Sequence, residues 1–287
     1  MIFQNKPFFI AEVSSNHQND LKRCLKFIDI ASDIGCDAVK FQLFKIEQLF
    51  VPEVLEKSAV HRKRKNWELD TSFLPTLHER AKQKGIYLSF TPFYLDAVRE
   101  LTPYVDFFKI ASYELLWNDL IVECAVSQLP LIMSTGMANE REVLEAVLTA
   151  RNNGCTDLSL LHCISAYPTP FSECNLSVIS TIREKFNCRS GWSDHSVNPF
   201  VISHAISKWD AQIIEFHLDI EGEGAEYQGG HCWLPSEISK LIDASKNISK
   251  IDGNSMIEPS VLEEVERTWR ADPSDGLRPL FNTRKSL

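Results

Sequence analysis

Eight short runs rich in β-branched and aromatic residues recur along the chain, and segments with helical spacing fill the gaps between them. The runs are FFIAEV from Phe8, AVKFQ from Ala38, IYLSFTP from Ile86, FFKIAS from Phe107, PLIMST from Pro130, LSLLHCIS from Leu158, SGWSD from Ser190 and AQIIEFH from Ala211. The helical pattern is clearest from Asp20 to Ile34, where Leu21, Cys24, Leu25, Ile28 and Ala31 recur about once per turn and Gly35 supplies a stop. A second helix is predicted from Glu140 through about Asn153, with Val143, Leu144, Val147 and Leu148 on one face and Gly154 behind it. Strands alternating with helices imply parallel crossovers, and eight of them favour closure over an open sheet. The expected fold class is therefore α/β, a (β/α)8 TIM barrel in a single domain. The 287 residues suit it, because such barrels typically run to roughly 250.

Residues 1–250 are read as the barrel, closed by a helix from Pro235 to Lys250. Residues 251–287 are read as a C-terminal helix, Pro259 to Arg270, and a tail packing on the barrel. The longest connection runs from Leu43 to about Asp70 and contains the basic run HRKRK from His61. Such a run is either a solvated loop or a lid over an anionic substrate.

With 44% apolar and 24% charged residues the chain can bury a sizeable core. A net charge of −9 argues against nucleic acid or an anionic membrane as the main partner, so an anionic ligand would need a local basic site. The eight cysteines are scattered with no C-x-x-C pair, and read as reduced, mostly buried thiols. The start MIFQNKPFFIAEV has no signal-peptide pattern, and no stretch approaches about 18 consecutive apolar residues. A cytoplasmic location is expected.

In a barrel the chemistry collects at the C-terminal ends of the strands. Those ends carry Glu12, Lys40 and Gln42, Thr91, Lys109 and Ser112, Ser134 and Thr135, His162 and Ser165, Ser193 to His195, and Glu215 and His217. A strand covered on both faces should be continuously apolar, so Lys40 and Lys109 need an explanation. Either they pair internally with Glu12 and Glu215, or they bind a compact anion together with the hydroxyls of Thr91, Ser112, Ser134 and Ser193. His195 and His217 end consecutive strands, each near a carboxylate (Asp194, Glu215), as two ligands of a divalent metal would. His17, His162 and His231 are further candidates, each alone better read as a packing or hydrogen-bonding residue. No G-x-S-x-G elbow supports a serine nucleophile.

The motifs IAEVSSNHQNDL from Ile10, DAVKFQLFK from Asp37, FTPF from Phe90, FKIAS from Phe108, STGM from Ser134, LHCISAYPTP from Leu161, WSDHS from Trp192 and IIEFH from Ile213 follow in an order and spacing that resemble the sialic acid synthase family. That family includes relatives making legionaminic and pseudaminic acids. The resemblance implies condensation of phosphoenolpyruvate (PEP) with the open-chain aldehyde of an N-acylated hexose, giving a nine-carbon 2-keto-3-deoxy acid and phosphate. It also implies that Lys40, Thr91, Lys109, Ser112, Ser134, Ser165 and Ser193 hold PEP, and that His195 and His217 bind Mn2+ or Mg2+. Gln42, Tyr167, Glu215 and Glu226 would face the sugar, with Glu12, Lys40 and Lys109 as the catalytic groups.

Three departures fall on the sugar side. The resemblance is to a catalytic barrel without the small antifreeze-like C-terminal domain, whose arginine reaches a partner subunit's sugar site in a homodimer. GEGAEYQGGHCWLP stands where a G-P-D motif is usual, and Ser165 and Ala166 stand where asparagine is frequent. The tail with Arg267, Arg270 and Arg278, or the loop with His231, is expected to complete the acceptor pocket. The rival readings are a metal-dependent sugar isomerase or aldolase, which needs no second anion site, and a non-enzymatic sugar-phosphate binding protein.

Overall fold

The computed structural model describes residues 2–3 and 7–286. The chain divides into two compact units, Met1–Lys246 and Asn247–Leu287. A strand overlaps each of the eight predicted runs: β1 (Phe8–Glu12), β2 (Ala38–Leu43), β3 (Tyr87–Pro92), β4 (Phe107–Ile110), β5 (Leu131–Ser134), β6 (Leu158–His162), β7 (Arg189–Asp194) and β8 (Ile213–Leu218). They pair in chain order, all parallel, and β8 returns to β1 with Phe8 opposite Ile213 and Glu12 opposite His217. This closes a (β/α)8 barrel. Helix Leu21–Asp33 is capped by the Asp20 carboxylate on Arg23 N, and helix Glu140–Asn152 by a reciprocal Asn139–Glu142 capping box. Past the first of these, Gly35 takes φ +87°, a left-handed turn that glycine adopts without strain.

Alternation along the strands sorts the interior into two halves. Phe8, Ile10, Ala38, Phe107, Ile132, Leu161 and Ile213, with Phe3, form a separate apolar cluster. Their neighbours Phe9, Ala11, Val39, Phe41, Phe108, Met133 and Ile214 belong to the larger core that the helices cover. Continuing the inward series two residues at a time from Ile10, Ala38, Phe107, Ile132 and Ile213 reaches Glu12, Lys40, Lys109, Ser134 and Glu215. The lysines are thus the polar continuation of an apolar plug, on the same face of their strands.

Four expectations change. A ninth strand, β9 (Cys232–Trp233), follows β8 and pairs parallel to it, with a short helix Ala225–Gln228 before it. The closing helix is Pro235–Lys246, four residues shorter than expected. The predicted helix from Pro259 to Arg270 is a 3-10 turn, Val261–Glu263, and a single helical turn, Glu264–Arg267; a segment this short, bounded by Pro259 and Pro273, is below the length at which a helix sustains itself. Residues 43–70 contain short helices at Ile46–Leu49, Pro52–Lys57 and Ala59–Lys63. There Arg62 donates to the carbonyls of Leu55 and Glu56, Arg64 lies over the rings of Phe50 and Trp67, and Lys65 pairs with Glu47, so these cations are engaged within their own segment.

In the second unit, Asp272 organises a turn by accepting from Ser274 N (3.0 Å) and Phe281 N (2.6 Å). All eight cysteines are free, and all but Cys188 are buried. Among the described residues no helix is long and apolar enough to cross a membrane.

Candidate active site

Lys40 and Lys109 converge on one carboxylate. Lys109 Nζ lies 3.0 Å from Glu215 Oε1 and Lys40 Nζ 3.8 Å from Glu215 Oε2, while Lys40 also makes a close ion pair with Glu12 Oε2 and donates to Thr91 Oγ1 at 3.1 Å. Ser193 Oγ donates to Glu215 Oε1 at 3.3 Å. Both ion pairs weighed from the sequence are therefore present, and the hydroxyls of Thr91 and Ser193 gather on them. Glu215 stands with the lysines rather than apart from them. Burial works to raise its pKa, but Lys109 and Lys40 hold its carboxyl at about 2. Burial likewise opposes the charge on Lys40, yet Glu12 and Glu215 overcome it and raise its pKa.

Beside this cluster, the loop after β5 approaches the ends of β4 and β6. Gly136 N donates to Ser112 Oγ at 3.1 Å, and Ser112 Oγ contacts Cys163 Sγ at 3.1 Å. A Cβ built on Gly136 would overlap Ser165 Oγ and stand 2.8 Å from Ser112 Oγ and 2.9 Å from Cys163 Sγ, so only glycine admits this gathering of side chains. The hydroxyls of Ser134 and Ser165 are buried without a hydrogen-bond partner, as hydroxyls reserved for a ligand would be.

Histidines line the mouth. The rings of His195 and His217 lie 5.3 Å apart, and the Tyr167 ring packs, tilted by 39°, at 4.3 Å from His195. His195 Nδ1 is tied to the Ile164 carbonyl at 2.9 Å, and burial, with His217 beside it, lowers its pKa to about 3, so the ring is a neutral imidazole with Nε2 to offer. His217 Nδ1 meets Glu226 Oε2 at 2.8 Å; burial opposes its charge, but hydrogen bonds to Cys232 and Glu226 raise its pKa well above 6.5. Glu226 Oε1 accepts from Ser14 Oγ (2.5 Å) and Ser15 Oγ (2.8 Å), and Gln42 Nε2 donates to Glu12 Oε1 at 2.7 Å. Glu12, Gln42, Glu226 and His217 thus form one continuous network.

Asp194 does not support His195. Its oxygens accept from Trp192 Nε1, Trp233 Nε1, Ser196 and Val197, which fixes the turn after β7. His17 and His162 are packing residues: His17 is fully buried with Nδ1 accepting from Asn19 N, and His162 bonds the Cys174 carbonyl against Trp192. His231 joins the mouth network instead. Ser14, Ser15, Cys163, Cys232 and Glu114 escaped the sequence reading. Glu114, just after the FKIAS motif, is buried with Oε2 unpartnered; burial raises its pKa to about 7 against the pull of Lys109. A lone glutamate between Tyr113 and Leu115 carries no periodic signal, and only its nearness to FKIAS could have marked it.

A family model described as the NeuB family matches residues 27–256. An N,N'-diacetyllegionaminic acid synthase of Campylobacter jejuni is 32% identical over 274 residues, covering 90% of this chain and 81% of that protein. An N-acetylneuraminate-9-phosphate synthase of Drosophila melanogaster is 30% identical over 286 residues, covering 90% and 76%. Among solved structures, the N-acetylneuraminic acid (sialic acid) synthetase of Leptospira borgpetersenii, in complex with citrate, superposes with a TM-score of 0.79 at 32% identity over 91% of this chain and 90% of that one. Barrel, motif order and relatives agree, and the chain belongs to the NeuB family of sialic acid synthases.

Proposed function

We propose that this protein condenses PEP with the aldehyde of an N-acylated hexose of the N-acetylmannosamine type, releasing phosphate and a nine-carbon 2-keto-3-deoxy acid. The observation that carries the reading is the convergence of two buried lysines and several hydroxyls at the strand ends, directly beneath a pair of imidazoles. Lys40 and Lys109, with Thr91, Ser112, Ser134, Ser165 and Ser193, hold the phosphate and carboxylate of PEP by charge-assisted hydrogen bonds. C3 of PEP forms the new bond to the aldehyde carbon, whose oxygen takes a proton. Water adds at C2, and phosphate leaves with cleavage of its C–O bond. Glu12 orients that water and takes its proton, while Glu215 holds the lysine side chains in place. Gln42, Tyr167 and Glu226 face the sugar.

The donor set fits a divalent metal: the neutral His195 ring, fixed through Nδ1, and the neighbouring His217 ring, once it gives up its proton, would be imidazole ligands, which favour Mn2+ over Mg2+. Bound there, the metal would polarise the aldehyde oxygen as a Lewis acid. The test is phosphate release from PEP in the presence of N-acetylmannosamine, related N-acylated hexoses or no aldose. Release that requires an aldose supports the reading, and aldose-independent release or none with any acceptor refutes it. Chelation by EDTA should abolish turnover and Mn2+ restore it.

A further inference from the structure

The segment between β8 and the helix Pro235–Lys246 supplies three potential metal donors in addition to one on β8. Pairing of β9 with β8 sets Cys232 opposite His217. Glu226, its Oε1 anchored by Ser14 and Ser15, turns Oε2 inward, where His217 Nδ1 lies at 2.8 Å, His231 Nε2 at 3.6 Å and Cys232 Sγ at 3.8 Å. One donor atom from each of His217, Glu226, His231 and Cys232 lies within 4.8 Å of all the others.

The His231–Glu226 separation is too long for a direct N–H···O hydrogen bond, which falls near 2.7–3.2 Å, and the Cys232 thiol makes only a long S–H···O contact with Glu226. Both lie close to the spacing of ligands that share an ion, whereas His217 and Glu226 at 2.8 Å form a direct hydrogen bond that an ion would have to open. Metal–donor lengths of about 2.0–2.3 Å at tetrahedral angles set neighbouring donors about 3.3–3.7 Å apart. His231 Nδ1 is also buried without a partner, so this ring is not held in place by hydrogen bonds on both sides. Two imidazoles, a carboxylate and a thiol make a closed set of borderline-soft donors, which suits Zn2+ far better than Mg2+.

We propose that His217, Glu226, His231 and Cys232 form a four-donor Zn2+ site, distinct from the His195–His217 pair but sharing His217 with it. The thiol binds as thiolate and the His217 ring as neutral imidazole, and both protons pass to solvent. Because one imidazole serves both sets, zinc in the four-donor site draws His217 away from the mouth, and zinc becomes an inhibitor of the reaction proposed above. The inhibitory half of the proposal rests on that reading, whereas the site itself does not.

The test uses metal-free full-length protein titrated with Zn2+ against a chromophoric chelator, and with Co2+ followed by absorption. One equivalent of Co2+ should give intense tetrahedral bands and a near-ultraviolet thiolate charge-transfer band. Cys232→Ser should remove the charge-transfer band, and His231→Ala should weaken Zn2+ binding at least ~10-fold, with His231→Gln as a second variant if the alanine protein melts early. His195→Ala should leave Zn2+ affinity within threefold. If zinc affinity instead depends on His195 and not on His231 or Cys232, the four-donor site is overturned while the imidazole pair stands. If the spectra are as expected but no aldose supports phosphate release, the proposed reaction fails and the zinc site remains.

Discussion

Gly136→Ala separates ligand binding from folding at the candidate site. The backbone at Gly136 is not in the left-handed region, so alanine adds no conformational strain. The new methyl group would, however, overlap Ser165 Oγ and press on Ser112 Oγ at 2.8 Å and Cys163 Sγ at 2.9 Å. Each can relieve the contact by rotating one bond, which moves the hydroxyls out of the ligand's reach. Loss of one hydrogen bond to a charged oxygen costs about 1.5–3 kcal/mol, and each 1.4 kcal/mol is about tenfold. The kcat/KM for PEP should therefore fall about 10- to 100-fold. Overpacking at the rim should cost about 1–2 kcal/mol of stability, a fall in Tm of roughly 2–8 °C. Steady-state phosphate release measures the first quantity and thermal unfolding the second. A folded variant with kcat/KM for PEP within twofold of the parent would refute the assignment of Ser112 and Ser165 to the ligand.

Lys109→Ala should abolish PEP turnover and also destabilise the fold by about 3–5 kcal/mol, because it strips Glu215 of its nearest buried partner; chemical denaturation checks this, and an equally stable variant would show the pair to be dispensable. Glu114 has its pKa raised by burial from 4.5 to about 7, so its contribution to stability is complete below about 4.5 and lost as the pH rises through about 7. Glu114→Gln should remove that slope and leave the variant more stable than the parent at pH 8 by on the order of 3 kcal/mol, and identical pH–stability curves would sink the argument. Gly191→Ala should cost about 3 kcal/mol or more, since its Cβ would overlap the Ile213 carbonyl across the β7–β8 pairing; expression and melting temperature report it.

Most of the strands were legible because they are buried on both faces and so read as apolar runs, with Lys40 and Lys109 conspicuous as interruptions; β7, Arg189–Asp194, was marked by its place in the alternation rather than by apolar content. What those lysines touch was not legible: internal pairing and anion binding demand the same residues at the same positions, and only the distances to Glu12 and Glu215 show that pairing is present. Asp194 was misread as a partner of His195 because adjacency in sequence reverses side-chain direction along a strand. The cluster around Glu226 was hidden for another reason. Its four donors meet only because Cys232 and Trp233 pair with β8, and a two-residue strand leaves no periodic trace. The weak helices after Lys246 failed for want of length, since propensity without a buried face does not sustain a helix.

The apolar plug of Phe8, Ile10, Phe107, Ile132, Leu161 and Ile213 makes the barrel a well with a single opening. Depth then dictates sequence in time. The side chains of Lys40 and Lys109 are 3% and 2% exposed, whereas the His217 side chain is 13% exposed and Tyr167 43%. A molecule seated on the lysines must arrive before one seated among the rings, and whatever remains deepest is the last to leave. For the reaction proposed above the expected order is PEP before the sugar, which product- and dead-end-inhibition patterns distinguish from random addition, and it follows from the aromatic and aliphatic residues at the opposite end of the strands from the chemistry.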